Sequence, residues 1–175
     1  SSIAGYHRFA MEHFIAAWIL FALNRIPYPP QTCVRLEKMF EFVLGYTRPD
    51  GKAPQIGDTS DGRVFILSNY SKWEKDNHRY LLQVGSILFG RKDMYIRDKV
   101  LAEEAFWLLK RLNANHIPPF PSSTMKELHA DESIAFPETG FYFMKNDNAY
   151  TSISANPVGK RGKGNHKHND IFSIE

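Results

Sequence analysis

The sequence predicts an α+β chain in which a helical region precedes an antiparallel β region. Three observations support this fold class: apolar residues recur at helical spacing in four segments, prolines and serines then interrupt the pattern, and two later segments alternate with period two. The composition changes near residue 115. We therefore expect a helical region over residues 1–115, a linker over 116–132 and a β region over 133–175.

Helices are predicted over residues 6–26, 31–46, 75–89 and 98–112, joined as antiparallel hairpins. In the first helix, the predicted stripe consists of Phe9, His13, Ala16, Ala17, Leu20 and Leu23. In the second helix, the predicted apolar side carries Val34, Met39, Phe42 and Val43. The predicted polar side carries most of Arg35, Glu37, Lys38 and Glu41. The apolar run over residues 14–23 is too short to span a membrane and predicts a helix buried among helices.

The β region is predicted from a hairpin. Residues 140–145 and 149–154 are rich in aromatic and β-branched side chains, and Asp147 and Asn148 between them favour a turn. The last five residues, 171–175, have the pattern of a further strand.

Composition limits the function classes. The chain has 175 residues, 43% of them hydrophobic, and a net charge of +3. The charge is compatible with an anionic ligand, but no basic run with interleaved aromatics indicates a nucleic-acid site. The lone Cys33 excludes an internal disulfide. Because the chain starts without Met and stops inside a predicted strand, we expect it to be part of a longer protein, in which a signal peptide would not be visible here.

Polar side chains are most concentrated in residues 161–170, which read Arg-Gly-Lys-Gly-Asn-His-Lys-His-Asn-Asp. In an extended chain, His166, His168 and Asp170 point to one side. Imidazole and carboxylate groups suit zinc, and a histidine can also transfer protons near neutral pH. A structural zinc takes four ligands, so this set would need another. The alternative is a solvated polar loop that enters a strand.

A second candidate site lies at the start of the first helix, where Tyr6, His7 and Arg8 are followed by Glu12. Free backbone N–H groups at a helix N-terminus attract anions, and arginine can bind a carboxylate through two hydrogen bonds. The alternative is that Tyr6 and His7 cap and pack the helix.

The long connection over residues 52–73 offers Asp58 and Asp61. Loops of this length are often functional, although Asp58 could equally cap a local turn. The spacing of the aspartates is similar to that of an EF-hand, but no glutamate follows at the required offset, which excludes calcium binding of that type.

Taken in order, these segments resemble the heparinase II/III-like polysaccharide lyases. The resemblance covers essentially the whole chain and rests on Tyr6-His7-Arg8, Arg48-Pro49-Asp50-Gly51, Pro54-Gln55-Ile56-Gly57-Asp58, Asp76-Asn77-His78-Arg79-Tyr80, Gly140-Phe141-Tyr142 and His166-Lys167-His168-Asn169-Asp170. It implies the C-terminal part of an incomplete α/α toroid, followed by the first strands of an antiparallel β-sandwich.

The resemblance also implies β-elimination on a uronate-containing polysaccharide that lies between the two parts. The implied catalytic residues are Tyr6, His7 and His166. His168 matches a metal ligand of some members, with zinc or calcium as the metal. The implied substrate-binding residues are Arg8, Glu12, Gln55, Asp58, Arg79 and Asn165, and Arg161 or Lys163 could also face anionic groups. The implied location is the periplasm or exterior of a bacterium.

One departure from the family pattern leaves the function open. Gln55 and Ile56 stand where the characterised lyases carry a catalytic tyrosine, so Tyr6, or else Tyr46 or Tyr70, would have to replace it. One alternative is a non-catalytic glycan-binding or surface-polysaccharide assembly protein. Another is a metal-dependent hydrolase built on His166, His168 and Asp170.

Overall fold

The computed structural model describes residues 3–56, 62–67, 74–94, 101–113, 132–146, 148–155 and 172–174. Over these residues the chain is a mixed α+β structure. Four α-helices come first, α1 (Arg8–Leu23), α2 (Pro30–Tyr46), α3 (Arg79–Phe89) and α4 (Glu103–Leu109), followed by strands β1 (Ile134–Phe136), β2 (Phe141–Lys145), β3 (Tyr150–Ser154) and β4 (Phe172–Ile174). None of the helices in these ranges has the length and apolar character needed to cross a membrane.

Helical structure begins before α1 itself. Ile3–His7 form a π-helical turn that runs directly into α1, and His7 has helical backbone angles. Tyr6, His7 and Arg8 therefore lie within a continuous helical segment. That the N–H groups at the start of this segment attract an anion stays a prediction.

The buried face of α1 differs from the predicted stripe. The buried residues are Arg8, Met11, Glu12, Ile15, Trp18 and Ile19, whereas Phe9 and Leu20 of the predicted stripe are 41% and 60% exposed. Because α1 is apolar on almost every side, hydrophobic spacing could not identify the inward face. The charged residues Arg8 and Glu12 lie on that face, where each has hydrogen-bond partners in the interior.

Helix α2 begins at Pro30, one residue before the predicted start. Pro30 occupies its first turn, where a missing N–H costs nothing, and the helix ends at Tyr46 as expected. Its polar side was predicted incorrectly, however, since Glu37 and Glu41 are each only 9% exposed.

Helix α3 crosses α2 at a close approach. A Cβ atom added to Gly85 would lie 2.6 Å from Cδ1 of Phe40, so glycine is required there. The helix ends at Gly90, which adopts the left-handed conformation common at helix C-termini. Helix α4 follows, and the side chain of Gln83 accepts a hydrogen bond from the backbone of Ala102 at its start.

The strands form one antiparallel sheet in the order β1-β2-β3-β4. The predicted hairpin is confirmed, with Phe141 opposite Ser154 and Lys145 opposite Tyr150. Strand β1, which was not predicted, pairs with β2, and β4 pairs with β3 so that Phe172 lies opposite Ile153.

The sheet packs directly on α2. Phe143 is fully buried, and its ring lies 5.9 Å from that of Phe42. At the other end of the sheet, Lys145 donates a hydrogen bond to the carbonyl of Leu44. Helices and sheet thus share one hydrophobic core. The division at residues 1–115, 116–132 and 133–175 stays a prediction, because much of the intervening segment lies outside the described residues.

Candidate functional site

The predicted site residues of α1 belong to a buried polar network. Arg8 is 0% exposed. Its guanidinium donates to the carbonyl of Lys75 at 2.5 Å and to that of Gly62 at 3.3 Å, and Nη1 lies 3.3 Å from Nε2 of His78. One side chain therefore ties α1 to two points in the segment between α2 and α3 and to His78, the residue before α3.

Glu12, one turn further along α1, is also 0% exposed. Its carboxylate accepts hydrogen bonds from the backbone N–H of Val64, at 2.5 Å, and from the hydroxyl of Tyr80. The guanidinium of Arg63 lies 3.9 Å from the same carboxylate. Such partners offset the large cost of burying a charge.

Arg63 extends the network to α4. It donates to Glu104 at 2.9 Å, and its guanidinium lies 5.1 Å from the centre of the Tyr80 ring. With Arg8 and Glu12, the cluster contains two arginines and two glutamates. Formal charges therefore balance within it, which offsets part of the cost of burying them.

His78 and Tyr46 form the part of the network nearest the sheet. Both are 0% exposed, and the Tyr46 hydroxyl shares a hydrogen bond of 2.7 Å with Nδ1 of His78. Burial, together with the charge of Arg8, lowers the pKa of His78 well below its ordinary value, while burial raises the pKa of Tyr46. Both groups are therefore uncharged at neutral pH.

His7 lies beside this network, next to the ring of Tyr46. Its Nε2 donates to the carbonyl of Met39 at 3.1 Å, and its ring meets those of Phe42 and Tyr46 edge-on, with centroids 5.0 and 6.1 Å away. Burial lowers the pKa of His7 to about 4, although the hydrogen bond to Met39 acts in the opposite direction. At neutral pH the imidazole is uncharged, with its lone pair on Nδ1.

The other predicted residues are distributed around this cluster. Tyr6, beside His7, is 46% exposed, and Gln55 is exposed on the long connection. The Arg79 guanidinium donates to the carbonyl of Asp50 and packs over Gly51. The remaining candidates, Asp58, Asn165, Arg161, Lys163, His166, His168 and Asp170, lie outside the described residues.

The structure thus places Arg8 and Glu12 in one buried network, with His7 packed against α2 and Tyr6 exposed. Since Arg8 and Glu12 have no exposed surface, their contacts are those of a scaffold, and direct substrate binding by them stays a prediction. Sequence reasoning missed His78, Tyr80 and Arg63. The signal for the first two was present, because both lie in the Asp-Asn-His-Arg-Tyr segment from which only Arg79 was selected.

A second buried charge cluster was also missed. Arg91 donates to Glu37 and Glu41 of α2 at 2.9 and 2.8 Å, and to Asp93 at 2.8 and 2.6 Å. The hydrogen bonds to Asp93 raise the pKa of Arg91 further above its ordinary value. This cluster fixes the end of α3 to α2.

Metal binding was predicted at His168, with zinc or calcium. Within the described ranges, no group of three or more histidine, cysteine, aspartate or glutamate side chains is arranged to hold a metal ion. Because the predicted ligands fall outside those ranges, the metal site stays a prediction.

No known family model matches the chain, and no curated protein matches it in sequence. The similarity to the heparinase II/III-like lyases therefore rests on the motifs quoted above.

Proposed function

We propose that the chain is part of a polysaccharide lyase that cleaves an acidic, uronate-containing glycan by β-elimination. In this reaction a base removes the proton at C5, the C4–O bond breaks, a C4–C5 double bond forms, and an acid protonates the departing oxygen. The proposal includes the family architecture, with the helices as the end of an α/α toroid and the strands as the opening of a β-sandwich.

The observation that carries the proposal is that the contacts of His7 lead to the end of the sheet at which β4 begins. His7 contacts Phe42, whose ring lies 5.6 Å from that of Phe141 at one end of β2. Strand β4 begins at the same end of the sheet, since Phe172 pairs with Ile153. At about 4.8 Å between strands, the two strand ends are roughly 10 Å apart.

Residues 166–170 immediately precede β4 in the sequence. We therefore propose that the segment leading into β4 and the start of α1 face one cleft between the helices and the sheet. The support for this is that β4 begins at the end of the sheet that Phe42, the neighbour of His7, contacts.

The proposed roles follow from the chemistry of each group. Tyr6 is exposed and can protonate the leaving oxygen, and His166 can remove the C5 proton. His7 is uncharged, since burial lowers its pKa to about 4, so it offers a hydrogen bond rather than a positive charge. We assign neutralisation of the uronate carboxylate to Arg161 or Lys163.

The test is to incubate the full-length protein with heparan sulfate, hyaluronan, alginate and bacterial exopolysaccharides and to follow ultraviolet absorbance. Elimination creates an unsaturated uronate that absorbs there, whereas hydrolysis leaves a saturated end. We expect absorbance to rise with one substrate class, and His166→Ala to abolish the rise.

The matched control is His13→Ala, because His13 is exposed on α1 and its ring hydrogen-bonds to Phe9 of its own helix. This variant should keep full activity. Wild-type turnover in folded His166→Ala protein would remove His166 from the mechanism. Loss of activity on chelation would support metal binding at His168.

A non-catalytic glycan-binding protein is the second candidate. It is favoured by Gln55 and Ile56 at the position of the family's tyrosine and by the complete burial of Tyr46, which removes one substitute for that tyrosine. Binding of a uronate glycan in calorimetry, without any rise in absorbance, would decide for this function.

A further inference from the structure

Helix α4 carries two large aromatic side chains on its outer side. Phe106 and Trp107 are 44% and 51% exposed, and their rings meet edge to face with centroids 5.2 Å apart. A single exposed apolar side chain is ordinary, whereas large apolar side chains exposed next to each other often mark a binding surface. We call this pair of rings the aromatic platform.

The aromatic platform lies on a helix that is fixed from its other side. Ala105 and Leu109 of α4 are buried in the core. Between α4 and the buried network, Glu104 accepts a hydrogen bond of 2.9 Å from Arg63. A ligand therefore meets a surface that is already ordered, which lowers the entropic cost of binding.

A positive charge lies beside the aromatic platform. Nζ of Lys110 is 5.6 Å from the centre of the Phe106 ring and 4.7 Å from that of the Trp107 ring, within the range of cation–π attraction. Within the ranges that the structure describes, this ammonium has no carboxylate at ion-pair distance. Arg111, the next residue, is also exposed. Both cations are thus available to an anion.

The acidic residue on the exposed side of α4 lies at the other end of the helix. Glu103 is exposed in the first turn of α4, about two turns before Lys110. At 1.5 Å per residue, the two positions are roughly 10 Å apart along the helix axis. The charge at the C-terminal end of the aromatic platform is therefore positive.

This combination fits a sugar that carries a carboxylate. One side of a pyranose ring presents C–H groups that pack against an aromatic ring, while the polar substituents project from the edge of the sugar. In a uronic acid the carboxylate is one of these substituents, so a sugar stacked on Trp107 can place it next to Lys110. A membrane surface fits less well, because membrane affinity grows with buried apolar area and α4 has only seven residues.

We propose that Phe106, Trp107 and Lys110 form an accessory binding site for a uronate unit of an acidic glycan, with Arg111 adding positive charge. The choice of a glycan rests on the proposed function, whereas the exposed rings and their adjoining cations do not. The site takes no part in the elimination itself. It holds the polysaccharide on the helical surface.

The test observes Trp107 by fluorine-19 NMR of the full-length protein labelled with 5-fluorotryptophan, and Trp107→Phe identifies its signal. In the free protein we expect a soluble paramagnetic reagent to broaden this signal but not that of the buried Trp18. Titration with hexasaccharides of heparan sulfate, hyaluronan or alginate should shift the Trp107 signal. Maltohexaose, which is neutral and of the same length, should bind more weakly.

Two variants separate the aromatic contact from the charge, and circular dichroism checks that each is folded. Phe106→Ala should weaken binding of the acidic hexasaccharide about tenfold, as for the loss of part of a stacking surface. Lys110→Gln should weaken it up to about fivefold, as for one exposed ion pair, and leave maltohexaose binding unchanged. Lys38→Gln is the matched control, since it removes the same charge from an exposed position on α2. Its affinity should stay within about twofold of wild type.

The outcomes separate this inference from the proposed function. A Trp107 signal that the reagent does not broaden would mean that another segment covers the platform, which would overturn the inference. The absence of a shift with every acidic hexasaccharide, equal affinity for maltohexaose, or a shift with phosphatidylglycerol vesicles alone would also overturn it. A rise in absorbance without a shift would overturn this inference and keep the lyase. A shift without any rise would refute the lyase and keep the binding site.

Discussion

Acid should destabilise this protein through His7. Burial lowers the pKa of His7 in the folded chain to about 4, while the unfolded chain protonates near the ordinary value of 6.5. Below pH 6.5 the unfolded state therefore binds a proton that the folded state does not. The stability is fully present above pH 6.5 and is lost as the pH falls towards 4.

The magnitude follows from the same two pKa values. At about 1.4 kcal/mol per pKa unit, the fall from 6.5 to about 4 corresponds to roughly 3 kcal/mol. His78, whose pKa burial also lowers, should add to the loss in the same direction. For a chain of this size, a loss of this order is a large part of the total stability.

The assay compares wild type with His7→Gln, which cannot be protonated and keeps an amide donor for the carbonyl of Met39. Urea unfolding followed by circular dichroism at pH 7, 6, 5 and 4 gives the free energy of unfolding. Between pH 7 and pH 4, the variant should lose roughly 3 kcal/mol less than wild type. Contributions of other groups cancel in this comparison.

His13→Gln is the control, since it removes an exposed imidazole from the same helix. It should follow the wild-type pH dependence. If His7→Gln and wild type lost stability in parallel, His7 would not be held neutral by burial, and its assigned role as an uncharged hydrogen-bonding group would fail.

Three further predictions concern the packing around the site, each measured by urea unfolding at pH 7. Arg91→Ala should cost about 3–5 kcal/mol, because three buried carboxylates lose their shared cation. Gly45→Ala should cost about 1–2 kcal/mol, since the added Cβ would lie 2.5 Å from Cε2 of Phe136 and push α2 from the sheet. Tyr80→Phe should lower the free energy of unfolding by about 2 kcal/mol, because the buried carboxylate of Glu12 loses a hydrogen-bond donor. For each of the three variants, a loss below about 0.5 kcal/mol would refute the corresponding contact.

Local rules account for the elements that the sequence predicted well. Proline fixed the start of α2, and the turn before β3 is held by Asn146, whose side chain accepts from the backbone N–H groups of Asn148 and Ala149. Strand β1 has only three residues, which is too short for an alternating pattern to be recognised. Its position is set by pairing with β2.

Charged residues were the main source of error. Glu37 and Glu41 were expected on the solvated side of α2 because charged side chains are seldom buried. Their burial depends on Arg91, about fifty positions later in the chain. Pairing over such a distance leaves no periodic signal in the sequence, and the same is true of Glu12 with Tyr80 and Arg63.

The Tyr-His-Arg segment shows why the site could be located from sequence while its organisation could not. Consecutive residues of a helix point in directions about 100° apart, so neighbours in the motif face different surroundings. Arg8 points into the interior with Glu12, which is four residues later on the same face; His7 points to α2; and Tyr6 remains exposed. Of these three residues, Tyr6 and His7 are therefore the ones that the proposed cleft could use, whereas Arg8 holds His78 in the interior through a hydrogen bond.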